Sequence, residues 1–240
     1  MLIAMVGGTV PSVRDKRGDF DAWIARKLDL SPPPVRVVHV QQGEELPSPD
    51  TVAGVVVTGS SAMVSDQEPW SVRAGQWLRH AVEHELPVFG ICYGHQLLAA
   101  SLGGRVERNP IGREIGTVSV QLTDAARTDP LFAGLPAQLT VQATHVESVT
   151  ELPRGAVLLG HNERDPHQAF RVGVSAWGVQ FHPEFDADIM GGYVTARREI
   201  LEREGLDADG LLSSAKDSDD GTRLLRSFGA FVMQKGNLLR

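Results

Sequence analysis

Residues 87–98 read Pro87-Val88-Phe89-Gly90-Ile91-Cys92-Tyr93-Gly94-His95-Gln96-Leu97-Leu98, and this stretch decides the fold. Its first half is a short apolar run of the kind that forms a strand covered on both faces. The second half continues as a helical pattern with no loop between, so a buried strand turns directly into a helix at Gly-x-Cys-x-Gly. That is the nucleophile-elbow arrangement, with cysteine in the place serine has in α/β-hydrolases. So tight a turn leaves no room two positions to either side, and a side chain at 90 or 94 would collide with a neighbouring strand or helix. The elbow puts the sulfur at a helix N-terminus, where the dipole and free N–H groups favour thiolate. It also lets the N–H of Tyr93 point at a developing oxyanion. The bland alternative is a buried structural cysteine that happens to lie between glycines.

Outward from the elbow, apolar β-branched runs at 2–8, 35–41 and 52–59 join 87–92 as expected strands. Helical patterns fall between them. Residues 19–30 place Phe20, Trp23, Ile24 and Leu28 on one stripe, and 69–85 open on Pro69 and carry Trp70, Trp77, Leu78 and Ala81. Strand and helix in alternation imply a doubly wound α/β sheet flanked by helices. The second half is expected to be richer in β, with strands at 116–122, 138–144, 155–161, 168–174 and 176–181 forming a smaller layer, so that the whole sheet is mixed. Helices are expected again at 186–204 and 219–235, the latter with Leu224, Leu225, Phe228, Phe231 and Val232 as a core face. The stretch 207–221 between them reads as a loop. The expectation is one domain over residues 1–240.

Bulk properties narrow the function classes. A net charge of −7 with no basic block argues against nucleic acid or an anionic membrane as partner. Apolar runs reach only about 8 residues, against the ~20 a membrane helix needs. Met1–Val10 has no basic leader and meets Gly7-Gly8 at once, so it reads as a first strand rather than a signal peptide. A single cysteine allows no internal disulfide and no multi-cysteine zinc site, which suits a cytoplasmic protein without a metal or cofactor.

A thiolate mechanism needs a base and a group to hold it. Among eight histidines, His39 and His161 lie in or beside strands, His80 and His84 on the polar side of a helix, and His167 in a turn. His95 follows the elbow on its helix, where it can shape a pocket. His182 ends the apolar run Trp177-Gly178-Val179-Gln180-Phe181 and is followed by Pro183-Glu184. Residues two apart in an extended segment point the same way, so His182 and Glu184 can share a face at the carboxyl edge of the sheet, where the elbow also lies. A carboxylate there fixes the imidazole tautomer and stabilises its charged form. A surface His-Pro-Glu turn is the alternative.

Gly90–Gln96 together with Gly178–Glu184 resembles the class I, triad-type glutamine amidotransferases, in particular the glutaminase domain of GMP synthetase and its free-standing relatives. Weaker echoes are Gly18-Asp19-Phe20, Gly112-Arg113-Glu114-Ile115-Gly116 and Ala169-Phe170-Arg171-Val172. The resemblance implies a flavodoxin-like fold and hydrolysis of the glutamine side-chain amide through a thioester on Cys92, with His182 as base and Glu184 orienting it. It further implies an oxyanion hole from the backbone of Tyr93 and of Gly59 or Ser60, and substrate contacts at Gln96, Thr144 and His145. Ser60 departs from the family's usual Ser-Gly-Gly; serine still has the N–H, so the hole survives if this backbone avoids φ > 0 or tolerates it at a cost of about 1 kcal/mol. The Thr58-Gly59-Ser60 form is similar to that of relatives acting as γ-glutamyl peptidases or γ-glutamyl amide hydrolases. No phosphate-cradling glycine run is present, so an ammonia-accepting synthetase would be a separate chain. Three functions stay open: a glutaminase-type hydrolase, a γ-glutamyl peptidase, and a non-catalytic regulatory subunit that kept the fold.

Overall fold

The computed structural model describes residues 1–30 and 35–238. In chain order its elements are β1 (Leu2–Met5), α1 (Pro11–Arg17), α2 (Phe20–Leu28), β2 (Arg36–His39), β3 (Val55–Val57), α3 (Pro69–Glu83), β4 (Val88–Ile91), α4 (Tyr93–Ser101), β5 (Arg105–Arg108), β6 (Glu114–Leu122), β7 (Gln138–His145), β8 (Glu147–Glu151), β9 (Val157–His161), β10 (Ala169–Val172), β11 (Ala176–Val179), α5 (Ala187–Ala196), α6 (Arg198–Arg203), α7 (Ala208–Ser214) and α8 (Asp220–Leu238). Nine strands form one mixed sheet in the order β2-β1-β3-β4-β11-β10-β9-β6-β7. The pairs β2–β1, β1–β3, β3–β4 and β4–β11 are parallel, and those from β11 outward are antiparallel. The β-rich second half therefore extends the parallel sheet, and the separate small layer is the antiparallel ribbon β5–β8.

Alternation along each short strand divides the core between the two faces. Ile3, Val56, Phe89 and Trp177 meet Phe20, Trp23, Ile24 and Leu28 of α2 and Leu224, Leu225 and Phe228 of α8. Leu2, Val55, Val57 and Val88 meet Trp70, Ala74 and Leu78 of α3 and Leu97 of α4 on the other face. Each such buried side chain contributes roughly 1.5–3 kcal/mol of transfer free energy. Runs apolar at every position are what a sheet covered on both faces requires.

Several elements depart from expectation. Residues 207–221 contain a helix, α7, because the Asp207 side chain accepts from the N–H of Gly210 at 3.0 Å and caps it. The helix expected over 186–204 breaks at Arg197, which has φ −110° and ψ 9°. Pro11 starts the unforeseen helix α1, a favourable first-turn position for proline. The ribbon strands β5 and β8 carry neither alternation nor an apolar run and were not foreseen. Among the described residues no helix is long and apolar enough to cross a membrane.

Candidate active site

At the end of β4, Cys92 has φ 52° and ψ −98°, one of four non-glycine residues with positive φ among those described. Such a conformation costs on the order of 1–3 kcal/mol, and it persists only where the surroundings enforce it. Here they do. The Cys92 N–H donates to Val179 O of β11 at 2.8 Å, and the Gly94 N–H donates to Thr58 O at 3.2 Å. A Cβ on Gly90 would lie 2.5 Å from Gly94 O, and one on Gly94 would lie 2.9 Å from the Val57 Cβ. Strand β4, helix α4 and strand β3 thus touch through the two glycines, and the thiol stands where they meet.

His182 follows β11 and anchors to β7, its N–H donating to Gln142 O at 2.7 Å. The ring stacks on Phe185 at 4.1 Å and on Phe20 at 6.0 Å between centroids. Its Nδ1 donates to Glu184 Oε1 at 2.8 Å, and the Cys92 thiol is near enough for the charges of the two groups to influence each other. All three groups are buried. Burial opposes the charge on His182, but the Glu184 carboxylate and the Cys92 sulfur overcome it and push the pKa up to about 10. Burial likewise works against a thiolate, yet the adjacent imidazolium holds the Cys92 pKa below the ordinary thiol value. The arrangement favours a thiolate–imidazolium pair.

These groups open into a cavity of about 390 Å³, within the ~300–1,000 Å³ usual for small-molecule sites. Ser60 lines it, and its φ is not positive, so the serine is unstrained. Its hydroxyl accepts from Ala62 N–H at 3.1 Å. Gly59 and Tyr93 stand just behind the wall. A Cβ on Gly59 would meet His182 Cε1 at 2.9 Å, and the Tyr93 phenol turns away to Ser71 at 2.6 Å. Gln96 and Thr144 line the cavity as well. Both hydrogens of Gln96 Nε2 are taken, by Glu147 O at 2.7 Å and Gln180 Oε1 at 3.0 Å, which leaves its Oε1 as the acceptor for a ligand. The Thr144 carbonyl lies 3.9 Å from Cys92 Sγ. His95 is not in the wall. It is buried against Phe170 and Gly178, and burial pushes its pKa down to about 3.

His145 lines the cavity with both ring nitrogens already engaged. Nδ1 faces Glu147 O at 2.9 Å and Nε2 faces Glu114 Oε2 at 2.8 Å, while Glu114 also accepts from Asn162 at 2.7 Å and Gln168 at 2.6 Å. A carbonyl and a carboxylate both demand a donor, so the ring is an imidazolium. Burial disfavours its charge, but Glu114 prevails and raises its pKa, while His145 and the two amides lower that of Glu114 against the effect of burial. Only the backbone of His145 is left for a ligand. Glu114 was legible only as part of the Gly112–Gly116 echo. Arg197, in the wall beside Tyr193, was not legible at all, because a helical arginine reads as solvated. Glu147 was missed too, although its carboxylate binds the Val64 N–H at 2.9 Å and the Ser65 hydroxyl and so ties down the 60–66 loop.

Comparison with known proteins shows the family. Residues 13–199 match the family model for glutamine amidotransferase class-I. A GMP synthase [glutamine-hydrolyzing] of Thermosipho africanus is 36% identical over 133 residues, which cover 55% of this chain and 24% of that one. Gamma-glutamyl peptidase 5 of Arabidopsis thaliana is 30% identical over 143 residues, covering 59% of this chain and 57% of the relative. The chain thus spans about a quarter of the first relative and little more than half of the second. The crystal structure of a glutamine amidotransferase from Thermotoga maritima superposes with a TM-score of 0.76 at 27% identity, covering 97% of each chain. With an elbow cysteine, a carboxylate-held histidine and a family match over most of its length, the chain belongs to the class-I glutamine amidotransferases.

Proposed function

We propose that this chain hydrolyses the side-chain amide of glutamine, or of another γ-glutamyl amide, through a glutamyl thioester on Cys92. The observation that carries the reading is the Cys92 sulfur set against His182, itself held on Glu184 at 2.8 Å, in one cavity. The thiolate, its proton already on His182, attacks the amide carbon, and the carbonyl electron pair moves onto oxygen. The N–H groups of Tyr93 and of Gly59 or Ser60 take up that charge. As the carbonyl re-forms, the C–N bond breaks and His182 delivers its proton to the departing nitrogen. Water, deprotonated by the now neutral His182, adds to the thioester. The C–S bond then breaks, restoring the thiolate–imidazolium pair and releasing the glutamyl carboxylic acid, which gives its remaining proton to solvent or to the freed amine.

The leaving group is ammonia when glutamine is the substrate. Similarity to a GMP synthase, of which this chain covers about a quarter, supports delivery of that ammonia to a separate synthetase chain. A second reading is supported by Ser60 and by the similarity to a γ-glutamyl peptidase: the leaving group is then an amine. A single free cysteine and no disulfide suit a reducing compartment, and we place the protein in the cytoplasm. The test measures ammonia released from glutamine and amine released from γ-glutamyl peptides, in wild type and Cys92→Ala. Loss of both products in Cys92→Ala, with the fold intact, is expected. Retention of more than a trace of hydrolysis in the purified variant would rule out the thiol mechanism.

A further inference from the structure

Four cations line the active-site cavity, and three are neutralised. His182 is held on Glu184 at 2.8 Å, His145 on Glu114 at 2.8 Å, and Arg113 pairs with Glu204 through two hydrogen bonds of 2.7 and 3.0 Å. Arg197 is the exception. Among the described residues no carboxylate lies within 4.0 Å of its guanidinium. The lining acid Glu147 spends its oxygens on Val64 N–H and on Ser65. The break between α5 and α6 falls at Arg197 and delivers its side chain to the wall, over the Tyr193 ring at 5.2 Å. Among the described residues the guanidinium's one hydrogen bond, to Thr144 Oγ1, is long at 3.4 Å.

A half-buried guanidinium with no carboxylate in hydrogen-bond reach is expensive, and its retention in a cavity wall points to a ligand that completes it. Arginine suits this, because its planar fork matches a carboxylate with two parallel N–H···O bonds. We propose that Arg197 is a specificity-determining residue whose guanidinium binds a carboxylate of the substrate, beside Thr144 and over the face of Tyr193. The proposal rests on the hydrolase reading above. The carboxylate comes from one of two sources: the α-carboxylate of the glutamyl unit, or an acid group on the departing amine.

Four compounds separate the sources: glutamine, glutamine α-amide, γ-glutamylglycine and γ-glutamyl methylamide. Each is tested for turnover and for protection of Cys92 against iodoacetamide, read as alkylated mass, which is unambiguous with a single cysteine. Arg197→Met is expected to raise KM and the half-protecting concentration about ten- to hundredfold for compounds that carry the recognised carboxylate, at nearly unchanged kcat. Arg197→Lys recovers part of the loss. If the α-carboxylate is recognised, wild type already handles glutamine α-amide as poorly as the variant handles glutamine. If the leaving amine is recognised, the variant loses discrimination between γ-glutamylglycine and γ-glutamyl methylamide only. Should Arg197→Met unfold, Arg197→Lys decides, since it keeps charge and stem but loses the fork, and KM must still rise. Equal effects on all four compounds, an effect on kcat alone, or no protection of wild-type Cys92 by any compound overturns the subsite. Protection that depends on Arg197 without any turnover would instead sink the hydrolase reading and leave the subsite standing.

Discussion

Replacing Gly90 with alanine would set a methyl carbon 2.5 Å from the carbonyl oxygen of Gly94, 2.6 Å from its carbonyl carbon and 2.8 Å from the nitrogen of His95. All three belong to the first turn of α4, which is tied down by Gly94 N–H to Thr58 O and Gln96 N–H to Cys92 O, so none can rotate aside. A comfortable carbon–oxygen approach is about 3.3 Å, and the turn must therefore lift by roughly 0.8 Å. Overpacking of this kind costs about 1–3 kcal/mol, and the weakened Gly94 hydrogen bond adds about 1 kcal/mol. Alanine's advantage over glycine in a strand returns up to about 1 kcal/mol, leaving a net loss near 2 kcal/mol. Cys92 lies inside the displaced turn, and a shift approaching 1 Å is expected to lower hydrolysis about a hundredfold. Urea unfolding reads the first effect, and iodoacetamide labelling with turnover reads the second. Gly103→Ala is the control: φ is +91° there but nothing lies within 4 Å, so it should cost about 1 kcal/mol without touching the thiol. A Gly90→Ala protein within about 0.5 kcal/mol of wild type, with unchanged labelling and turnover, would refute the steric account of the elbow.

His182→Ala should be nearly as damaging as loss of the thiol, since cooperating groups fail together, and Glu184→Gln should be milder. Glu184→Gln removes the charge that holds the His182 pKa near 10, so the pH midpoint for Cys92 alkylation should move upward; a downward shift, or Glu184→Gln proving worse than His182→Ala, would show the roles misassigned. Glu114→Gln leaves the buried His145 imidazolium without its counter-ion, and breaking such a pair costs about 3–5 kcal/mol. The raised His145 pKa contributes stability fully below its unfolded value of 6.5 and loses it as pH rises, whereas the lowered Glu114 pKa contributes above 4.5 and loses it as pH falls. Denaturation of wild type and Glu114→Gln across pH should therefore differ most between 4.5 and 6.5, and a pH-independent difference would mean the pair is not ionised.

How much of this was legible in the chain follows from the range of the forces involved. The elbow at Gly90–Gly94 is a contest among atoms within five residues, so its steric demand is written in adjacent letters. His182 and Glu184 were expected to share a face of an extended segment, but the chain turns at Pro183-Glu184, with the Phe185 N–H donating to His182 O at 3.3 Å, and the carboxylate reaches the imidazole within that turn. The alternation of apolar runs and helical stripes on either side reports burial on both faces of a sheet, and that too is local. Ser60 was undecidable from sequence, because the sign of its φ depends on how the loop leaves β3.

Other features exist only through contacts between distant segments. The ribbon β5–β8 pairs polar strands that carry no pattern of their own and lie about 40 residues apart in the chain. Glu114 and His145 face each other because β6 and β7 pair with those two residues in register. Arg197 enters the cavity wall because α5 ends one residue before it, while sequence spacing alone would have left it on a continuous helix facing solvent. Local sterics and periodicity carry a motif as far as the chain's own stiffness reaches. Beyond that, the charge that surrounds the thiol depends on strand register and helix breaks, which many sequences of the same pattern would settle differently.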